Sequence, residues 1–335
     1  MTDTPITLDA SGLDALYASD IEPKLIAFEG ERKKAMGQFW LRIGIGAPAA
    51  LIIGGTIGAV WDGGWGLGIG FVVLVFASIW AYGPLDAVAK KAKIAVLQAI
   101  ATALKVNYTL NGFTPPAFPH FGQLHLLPGH DRSSVEDLFD GVRSDCPFAL
   151  YDAHLESRSR DSKGRETWTT VFRGCLIRIG FPKQFLGTTI VRRDAGIFNM
   201  FRENKELKRV GLGDSRFEKI FEVYGSDQVE ARFLVHPVFM EKLLALETTF
   251  KGGKIRCGFD QGDLLIAVEG RDHFEIGGMF SSLVEKTRVT RMATDVTTVM
   301  GLIDTVLAGP PPAYAAEIKA AQEAAAGASN APIVS

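Results

Sequence analysis

Residues 40–82 read WLRIGIGAPAALIIGGTIGAVWDGGWGLGIGFVVLVFASIWAY and carry only two charged side chains, Arg42 and Asp62. As α-helices, the first 22 and the last 18 residues of this stretch would be about 33 Å and about 27 Å long. Both lengths match the hydrocarbon core of a bilayer, which is about 30 Å thick. A soluble protein would need much more chain to cover two helices that are apolar on all sides. The stretch therefore predicts a two-helix transmembrane hairpin.

Tryptophans mark both ends of the two predicted spans. Trp40 and Trp80 lie at one end, and Trp61 and Trp65 lie at the other. An aromatic ring with a polar N–H favours the interface between membrane and water. We therefore assign these four residues to the membrane interface, and only Trp168 of the five tryptophans lies elsewhere.

Basic residues flank the predicted hairpin at its outer ends and are absent from its central turn. By the positive-inside rule, this distribution places both chain termini in the cytoplasm and only the turn on the far side. The flanking basic residues are Arg32, Lys33, Lys34 and Arg42 before the first span and Lys90, Lys91 and Lys93 after the second.

Glycines are frequent in both spans and form two GxxxG patterns, Gly54 with Gly58 and Gly66 with Gly70. Small residues let helix backbones approach closely in lipid. Two interpretations stay open: the spans pack on each other, or the glycines form a face for a homo-oligomer. Neither span has an ionisable residue at mid-depth, so the sequence gives no support to an ion path.

Composition and periodicity divide the chain into five segments. The predicted fold class is α+β, with the two-helix hairpin followed by a cytoplasmic domain of antiparallel sheet and packed helices. The segments are an N-terminal cytoplasmic helical segment (1–39), the transmembrane hairpin (40–83), an amphipathic helix and linker (84–119), the α+β domain (120–308) and a largely disordered Ala- and Pro-rich tail (309–335).

Alternating apolar residues and turn signals predict the elements of the α+β domain. One hairpin is predicted from two strand patterns joined by the polar loop SRSRDSKGRE, and a second from KIRCGF and DLLIAV around a DQG turn. The predicted strands are 148–156, 167–181, 188–193, 254–259 and 263–268, and the predicted helices are 217–221, 237–250 and 281–307.

The charge balance is close to neutral, with 36 Lys and Arg against 38 Asp and Glu. This balance argues against nucleic acid as a partner, because nucleic-acid binders usually carry a basic excess. The three cysteines are scattered, without a CxxC pair, which suits a reducing compartment.

The sequence shows no catalytic, cofactor or metal motif. His120, His125 and His130 are spaced five residues apart, whereas helical metal sites usually place their ligands four apart. We interpret them as surface or locally hydrogen-bonded histidines, with ligation from a loop as the alternative.

Two polar clusters are candidate sites. In DQVEAR, Asp227, Glu230 and Arg232 form either an internal ion pair or cap at the start of a strand, or a recognition surface. In the hairpin loop, the basic residues are either simply solvated or in contact with anionic lipid. These loop residues are Arg158, Arg160, Lys163 and Arg165.

Two stretches, VFRGCLIRIGFPKQFLGTTIVRRD and FEKIFEVYGSDQVEARFLVHPVFMEKLLALE, resemble the bacterial family DUF3137. Its members are membrane-associated proteins without an established function. The resemblance extends from about residue 12 to residue 308, and its most specific part is YGSDQVEAR, residues 224–232. It implies a location at the bacterial inner membrane, and it carries over no catalytic residues.

Two hypotheses of function follow. We expect a non-enzymatic, inner-membrane-anchored interaction or scaffold protein, whose partners are the lipid bilayer and another protein of unknown identity. The alternative is a membrane-bound enzyme with a dispersed polar site formed by Asp227, Glu230, Arg232 and His236.

Overall fold

The computed structural model describes residues 10–61, 63–182, 184–193, 207–249, 254–270, 274, 281–309, 312, 314, 316 and 320. They form two compact units. The helical unit contains the described residues between 8 and 103 and between 274 and 293, and the sheet unit contains the others. Together they make an α+β protein with an antiparallel sheet and packed helices, as the sequence predicts.

The helical unit begins with α1 (Ala10–Leu16), a single π-helical turn (Tyr17–Ile21) and the long helices α2 (Glu22–Val60) and α3 (Gly63–Ala103). Both long helices are apolar enough, over a sufficient length, to cross a membrane. They also continue beyond the predicted spans, so that α3 passes through Pro84 without a break. Asp62, predicted to lie in the hairpin turn, is outside the described residues.

Much of the apolar surface of α2 and α3 is uncovered in the isolated chain. Leu51 is 77% exposed and Leu67 is 79% exposed, and Phe71 and Phe76 are similarly open. Exposure of apolar surface to water costs about 25 cal/mol per Å². The described residues of both long helices thus leave a large apolar surface uncovered.

The two long helices meet through glycine backbone. A Cβ atom added at Gly66 would lie 2.4 Å from the carbonyl oxygen of Gly54 and 2.5 Å from the Cα of Gly58. Because the clashing atoms are backbone, a change of side-chain rotamer could not relieve the contact. The first interpretation of the GxxxG patterns is therefore confirmed: α2 and α3 pack on each other.

Arg42 compensates for a missing hydrogen bond in α3. Pro84 has no N–H, so the carbonyl of Trp80 lacks its normal helical donor. The Arg42 guanidinium of α2 donates to this carbonyl oxygen at 2.7 Å and lies 4.4 Å from the centre of the Trp80 ring. One side chain thus satisfies a carbonyl of the neighbouring helix and stacks on its tryptophan.

We predict that Arg42→Leu lowers the free energy of unfolding of the helical unit by about 1–3 kcal/mol, because the Trp80 carbonyl loses its donor. In a Pro84→Ala background the same change should cost clearly less, since the new N–H of residue 84 can donate to that carbonyl. The measurement is a double-mutant cycle by denaturant unfolding of the full chain in detergent micelles. If Arg42→Leu lowers the free energy of unfolding equally in the wild-type and the Pro84→Ala backgrounds, Arg42 is not the donor that the Trp80 carbonyl depends on.

The sheet unit is built on an antiparallel sheet of nine strands within the described residues, in the order β1-β2-β3-β4-β9-β8-β5-β7-β6. The strands are β1 (Asn107–Thr109), β2 (Arg132–Arg143), β3 (Cys146–Arg160), β4 (Glu166–Gly180), β5 (Thr189–Arg193), β6 (Lys208–Arg209), β7 (Phe221–Gly225), β8 (Ile255–Asp260) and β9 (Asp263–Glu269).

Within the described residues up to 309, five helices accompany the sheet. Buried aromatic and aliphatic side chains, among them Phe121 of α4 and Tyr151 and Phe172 of the sheet, form the core against one face of the central strands. The helices are α4 (Phe118–Gln123), α5 (Ser215–Glu218), α6 (Gln228–Leu234), α7 (Pro237–Thr249) and α8 (Lys286–Ala308), the last with its residues up to 293 in the helical unit.

Most of the predicted elements of the sheet unit are confirmed. The hairpins β3–β4 and β8–β9, strand β5 and helices α7 and α8 are present as predicted, but the predicted loop 157–166 is strand up to Arg160 and from Glu166, and α8 begins at Lys286 rather than at 281. The predicted helix 217–221 is partly wrong: α5 ends at Glu218, and Phe221 begins β7, because β7 pairs with β5.

Strand β2 is absent from the sequence-based prediction. Its alternation of apolar and polar residues is interrupted by a bulge, where the register with β3 shifts between Glu136 and Phe139 and Asp137 has a φ of 58°. A bulge turns successive side chains away from simple alternation, so the strand has no period-two signal.

The C-terminal tail, predicted to be largely disordered, lies mostly outside the described residues. Its described positions 312, 314, 316 and 320 are helical. The hydroxyl of Tyr314 donates to the carbonyl oxygen of Arg232 at 3.0 Å. This part of the tail therefore contacts α6.

Candidate functional site

Asp227 caps a helix. Its carboxylate accepts hydrogen bonds from the backbone N–H groups of Val229 at 2.9 Å and Glu230 at 2.8 Å, the geometry of a helix N-cap. The predicted strand at this position is therefore wrong, and DQVEAR opens α6 instead. Asp, with a short acceptor side chain, is among the residues most favoured at such a position.

Glu230 holds the segment that leads into β5. Its carboxylate oxygens accept from the backbone N–H groups of Leu186 at 2.7 Å and Gly187 at 2.9 Å. The next amide, that of Thr188, donates to Ser226 Oγ at 2.9 Å. The segment SDQVE (residues 226–230) therefore supplies acceptors for the three consecutive backbone amides of residues 186–188.

Arg232 also has internal partners. Its guanidinium donates to the carbonyl oxygens of Gly211 at 3.1 Å and Gln228 at 3.0 Å. The contacts of Asp227, Glu230 and Arg232 thus fit the internal alternative. A recognition role for these three residues stays a prediction.

The alternative hypothesis, an enzyme site formed by Asp227, Glu230, Arg232 and His236, stays a prediction. No hydrogen bond or ion pair links any two of the side chains of Asp227, Glu230, Arg232 and His236, all of which the structure describes. His236 is only 3% exposed, and its Nδ1 accepts from the backbone N–H of Phe239 at 3.3 Å. His236 therefore caps α7 from the residue before Pro237.

Burial lowers the pKa of His236 below its usual value of 6.5. The capping contact acts in the same direction, since Nδ1 can accept only while the ring is neutral. The unfolded chain then binds a proton near pH 6.5 that the folded chain resists, so the stability falls as the pH decreases through this range.

We predict that His236→Asn makes the free energy of unfolding less dependent on pH between pH 7.5 and 5.5. Asn keeps an acceptor for the Phe239 N–H but does not titrate, so the cap survives and the proton linkage disappears. The measurement is denaturant unfolding of the full chain at a series of pH values. If wild type and variant lose stability equally on acidification, His236 is not the titrating group.

A second polar group, which we call the His120 chain, joins parts of the sequence far from each other. His120 Nε2 on α4 lies 2.9 Å from Asp260 Oδ2, and its Nδ1 lies 3.8 Å from Asp263 Oδ2. The hydroxyl of Thr188 donates to Asp260 Oδ1 at 2.5 Å, and Arg178 Nε donates to Asp263 Oδ1 at 3.0 Å. The His120 chain therefore ties α4, β4, the β8–β9 turn and residues 186–188 together.

The turn geometry explains why two aspartates face one histidine. Gln261 and Gly262 both have positive φ, 50° and 85°, as in a tight two-residue hairpin turn. Asp260 and Asp263 are therefore directly opposite each other and on one face. The DQGD sequence signals this turn, but nothing local indicates that His120, 140 residues earlier, would meet it.

The His120 chain has the contacts of a structural clamp. The hydroxyl group of the His120 chain, that of Thr188, donates its hydrogen to Asp260 rather than to His120, so His120 does not activate it as a nucleophile. Within the described residues, no group of three or more His, Cys, Asp or Glu side chains is placed to hold a metal ion. His130 does not belong to the His120 chain; its Nδ1 lies 3.1 Å from the Pro128 carbonyl oxygen.

The predicted basic loop forms the end of an exposed ribbon, which we call the arm (residues 157–169). The pairing of β2 with β3 ends at Arg132 and Glu156, so the β3–β4 hairpin continues beyond it with only two strands. From residue 158 onward the arm is exposed throughout. Asp161 accepts the backbone N–H groups of Lys163 and Arg165, both at 2.9 Å, and so closes its turn.

The two faces of the arm differ in chemistry. Residues directly opposite each other in an antiparallel pair share a face, and alternate residues of one strand share it too. The charged face carries Arg158 opposite Trp168 and Arg160 opposite Glu166. The other face carries only hydroxyl side chains, namely those of Ser157, Ser159, Thr167 and Thr169.

The charged face continues onto β2 through Arg132. The Arg132 guanidinium stacks on the Trp168 ring at 4.5 Å and also pairs with Glu156. Glu166 binds Arg160 at 2.5 Å and Arg158 at 3.4 Å. This arrangement presents an aromatic ring and several guanidinium groups on one exposed surface.

The fold and these sites define an α+β protein with an antiparallel sheet unit and a helical unit of two long apolar helices. The family described as "Protein of unknown function (DUF3137)" matches residues 170–307 of this chain. The resemblance noted in the sequence is confirmed there, from β4 into α8. Its wider extent, from residue 12, stays a prediction.

The other comparisons add little. No curated protein matches the chain. One solved structure, titled "crystal structure of the mycobacterial trehalose monomycolate transport factor A, TtfA", is similar over 66% of this chain and 98% of its own, with 9% sequence identity and a TM-score of 0.33. A TM-score this low supports no conclusion about fold or function.

Proposed function

We propose that the protein is an interaction or scaffold protein anchored in the bacterial inner membrane by a hairpin of α2 and α3. The observation that carries the proposal is the exposed apolar surface of these two helices. Leu51, Leu67 and Phe71 lie open along the predicted spans. A bilayer supplies the apolar surroundings that this surface requires.

The ends of the predicted spans support the same placement. Trp40, Trp61, Trp65 and Trp80 are all exposed, as residues that contact lipid headgroups would be. Arg42, at one end of the hairpin, bonds a backbone carbonyl of the neighbouring helix, which lowers the cost of a charge near the membrane. Basic residues flank the outer ends, and we infer that both termini lie in the cytoplasm.

In this proposal the sheet unit is the cytoplasmic part that meets a protein partner. Its polar clusters at α6 and around His120 are engaged in internal contacts that fix the fold. The arm, in contrast, offers exposed charged and aromatic side chains on a ribbon with two distinct faces. We therefore place the interaction function on the exposed surface of the sheet unit rather than in an enclosed site.

The predicted topology can be tested by thiol labelling in spheroplasts. Gly63→Cys, at the hairpin tip, should react with a membrane-impermeant maleimide in intact spheroplasts, because a side chain there meets nothing within 4 Å. Ser162→Cys, in the arm, should react only after the membrane is permeabilised. The three native cysteines are buried and provide an unreactive background. Labelling of residue 162 in intact spheroplasts would contradict the orientation.

The interaction function can be tested by photo-crosslinking in living cells. A photoreactive amino acid at Ser159, in the arm, should give one discrete adduct with another protein. The matched position is Thr248, at the exposed end of α7, where we expect no such adduct. Full complementation of a deletion strain by the substituted proteins controls for folding. Absence of any discrete adduct from the exposed positions of the sheet unit would count against a scaffold role.

A further inference from the structure

The basic side chains of the arm are more exposed than its acidic ones. The side chains of Arg158, Arg160 and Arg165 are 51%, 65% and 76% exposed. Those of its carboxylates Asp161 and Glu166 are only 38% and 37% exposed. The outer surface of the arm is therefore more basic than its composition indicates.

The acidic residues of the arm are engaged in holding its shape. Asp161 accepts two backbone amides in the turn, and Glu166 joins two arginines along one strand. Within residues 157–169 four basic residues stand against two acidic ones, an excess of two in a chain with a net charge of −2. The four basic residues are Arg158, Arg160, Lys163 and Arg165.

Trp168 gives the same face an interfacial character. Trp168 is 39% exposed, Arg132 stacks on its ring, and Arg158 lies directly opposite it across the hairpin. Tryptophan favours the headgroup region of a bilayer, and arginine forms bidentate contacts with phosphate. An exposed face that carries both is suited to an anionic membrane surface.

We propose that the charged face of the arm docks on the anionic phospholipid headgroups of the membrane in which the protein is anchored. The inference rests on the proposed membrane anchoring and specifies a second, electrostatic contact with the same bilayer. The carboxylates brace the arm, while the guanidinium groups of Arg158, Arg160 and Arg165 exchange part of their contacts for lipid phosphate.

A modest intrinsic affinity is enough for this contact. Each basic residue near an anionic membrane surface strengthens binding by about five-fold, so an excess of two gives about 30-fold. Anchoring converts docking into an intramolecular step with a high effective concentration of lipid. The contact should weaken with salt, because exposed charges are screened.

The test uses the full chain in lipid nanodiscs with an environment-sensitive fluorophore on Ser162→Cys. This position lies in the arm turn and leaves all four basic residues in place, and the buried native cysteines stay unlabelled. We expect a blue shift of the label in discs that contain phosphatidylglycerol, no shift in discs of phosphatidylcholine alone, and loss of the shift at high salt.

The decisive variant is Arg158→Gln combined with Arg160→Gln and Arg165→Gln. Removal of three charges should lower the ratio of docked to free arm by about 150-fold and abolish the shift. The matched control neutralises three exposed basic residues outside the arm and should keep the shift. These control substitutions are Arg216→Gln, Lys219→Gln and Lys242→Gln. Native cysteines that stay unreactive show that both variants are folded.

The outcomes separate the two proposals. A chain that enters the discs but gives the same emission in both lipids contradicts the arm proposal alone and leaves an acidic protein as the partner of the arm. A fluorescence blue shift that persists when Arg158, Arg160 and Arg165 are replaced by Gln also contradicts the proposal that the arm docks on lipid. A chain that does not co-elute with discs contradicts the anchoring and, with it, the docking of the arm.

Discussion

The helical unit depends on direct backbone contact between α2 and α3. Side chains larger than hydrogen at Gly54, Gly66 or Gly70 would be too close to the main chain of the facing helix. This close approach also brings α2 within reach of the carbonyl that Pro84 leaves without its helical donor, and Arg42 bonds it. Glycine and proline thus have complementary effects: the glycines permit the contact, and the proline creates a polar group that the contact must satisfy.

The sheet unit follows the same rule with carboxylates in place of arginine. Segments without regular structure, such as residues 186–188, expose amides that need acceptors. Glu230 and Ser226 supply them, Asp227 caps α6, and the His120 chain attaches the neighbouring turn. Asp227, Glu230 and Arg232 therefore have internal structural contacts, while a catalytic or recognition role for them stays a prediction. The arm differs from these segments because its arginine side chains are largely exposed to solvent.

Anchoring and docking of the arm, if combined, would limit how the sheet unit is presented to a protein partner. A tether alone leaves a domain free to reorient, whereas a second, salt-sensitive contact restricts it without making it rigid. Such a contact would also respond to the anionic lipid content of the membrane. Our proposals thus assign different physical tasks to the two units: apolar burial to the helical unit and reversible electrostatic contact to the arm.

The sequence alone determined the features that depend on local pattern. The length and polarity of residues 40–82 predicted two long apolar helices, and alternation with turn residues predicted the hairpins β3–β4 and β8–β9. Only the tertiary structure decided which groups meet: Arg42 with the Trp80 carbonyl, Glu230 with the amides of residues 186 and 187, and His120 with Asp260. The physical reason is that periodicity fixes which side of an element is apolar, whereas a hydrogen-bond partner depends on which backbone groups remain unsatisfied after distant segments pack.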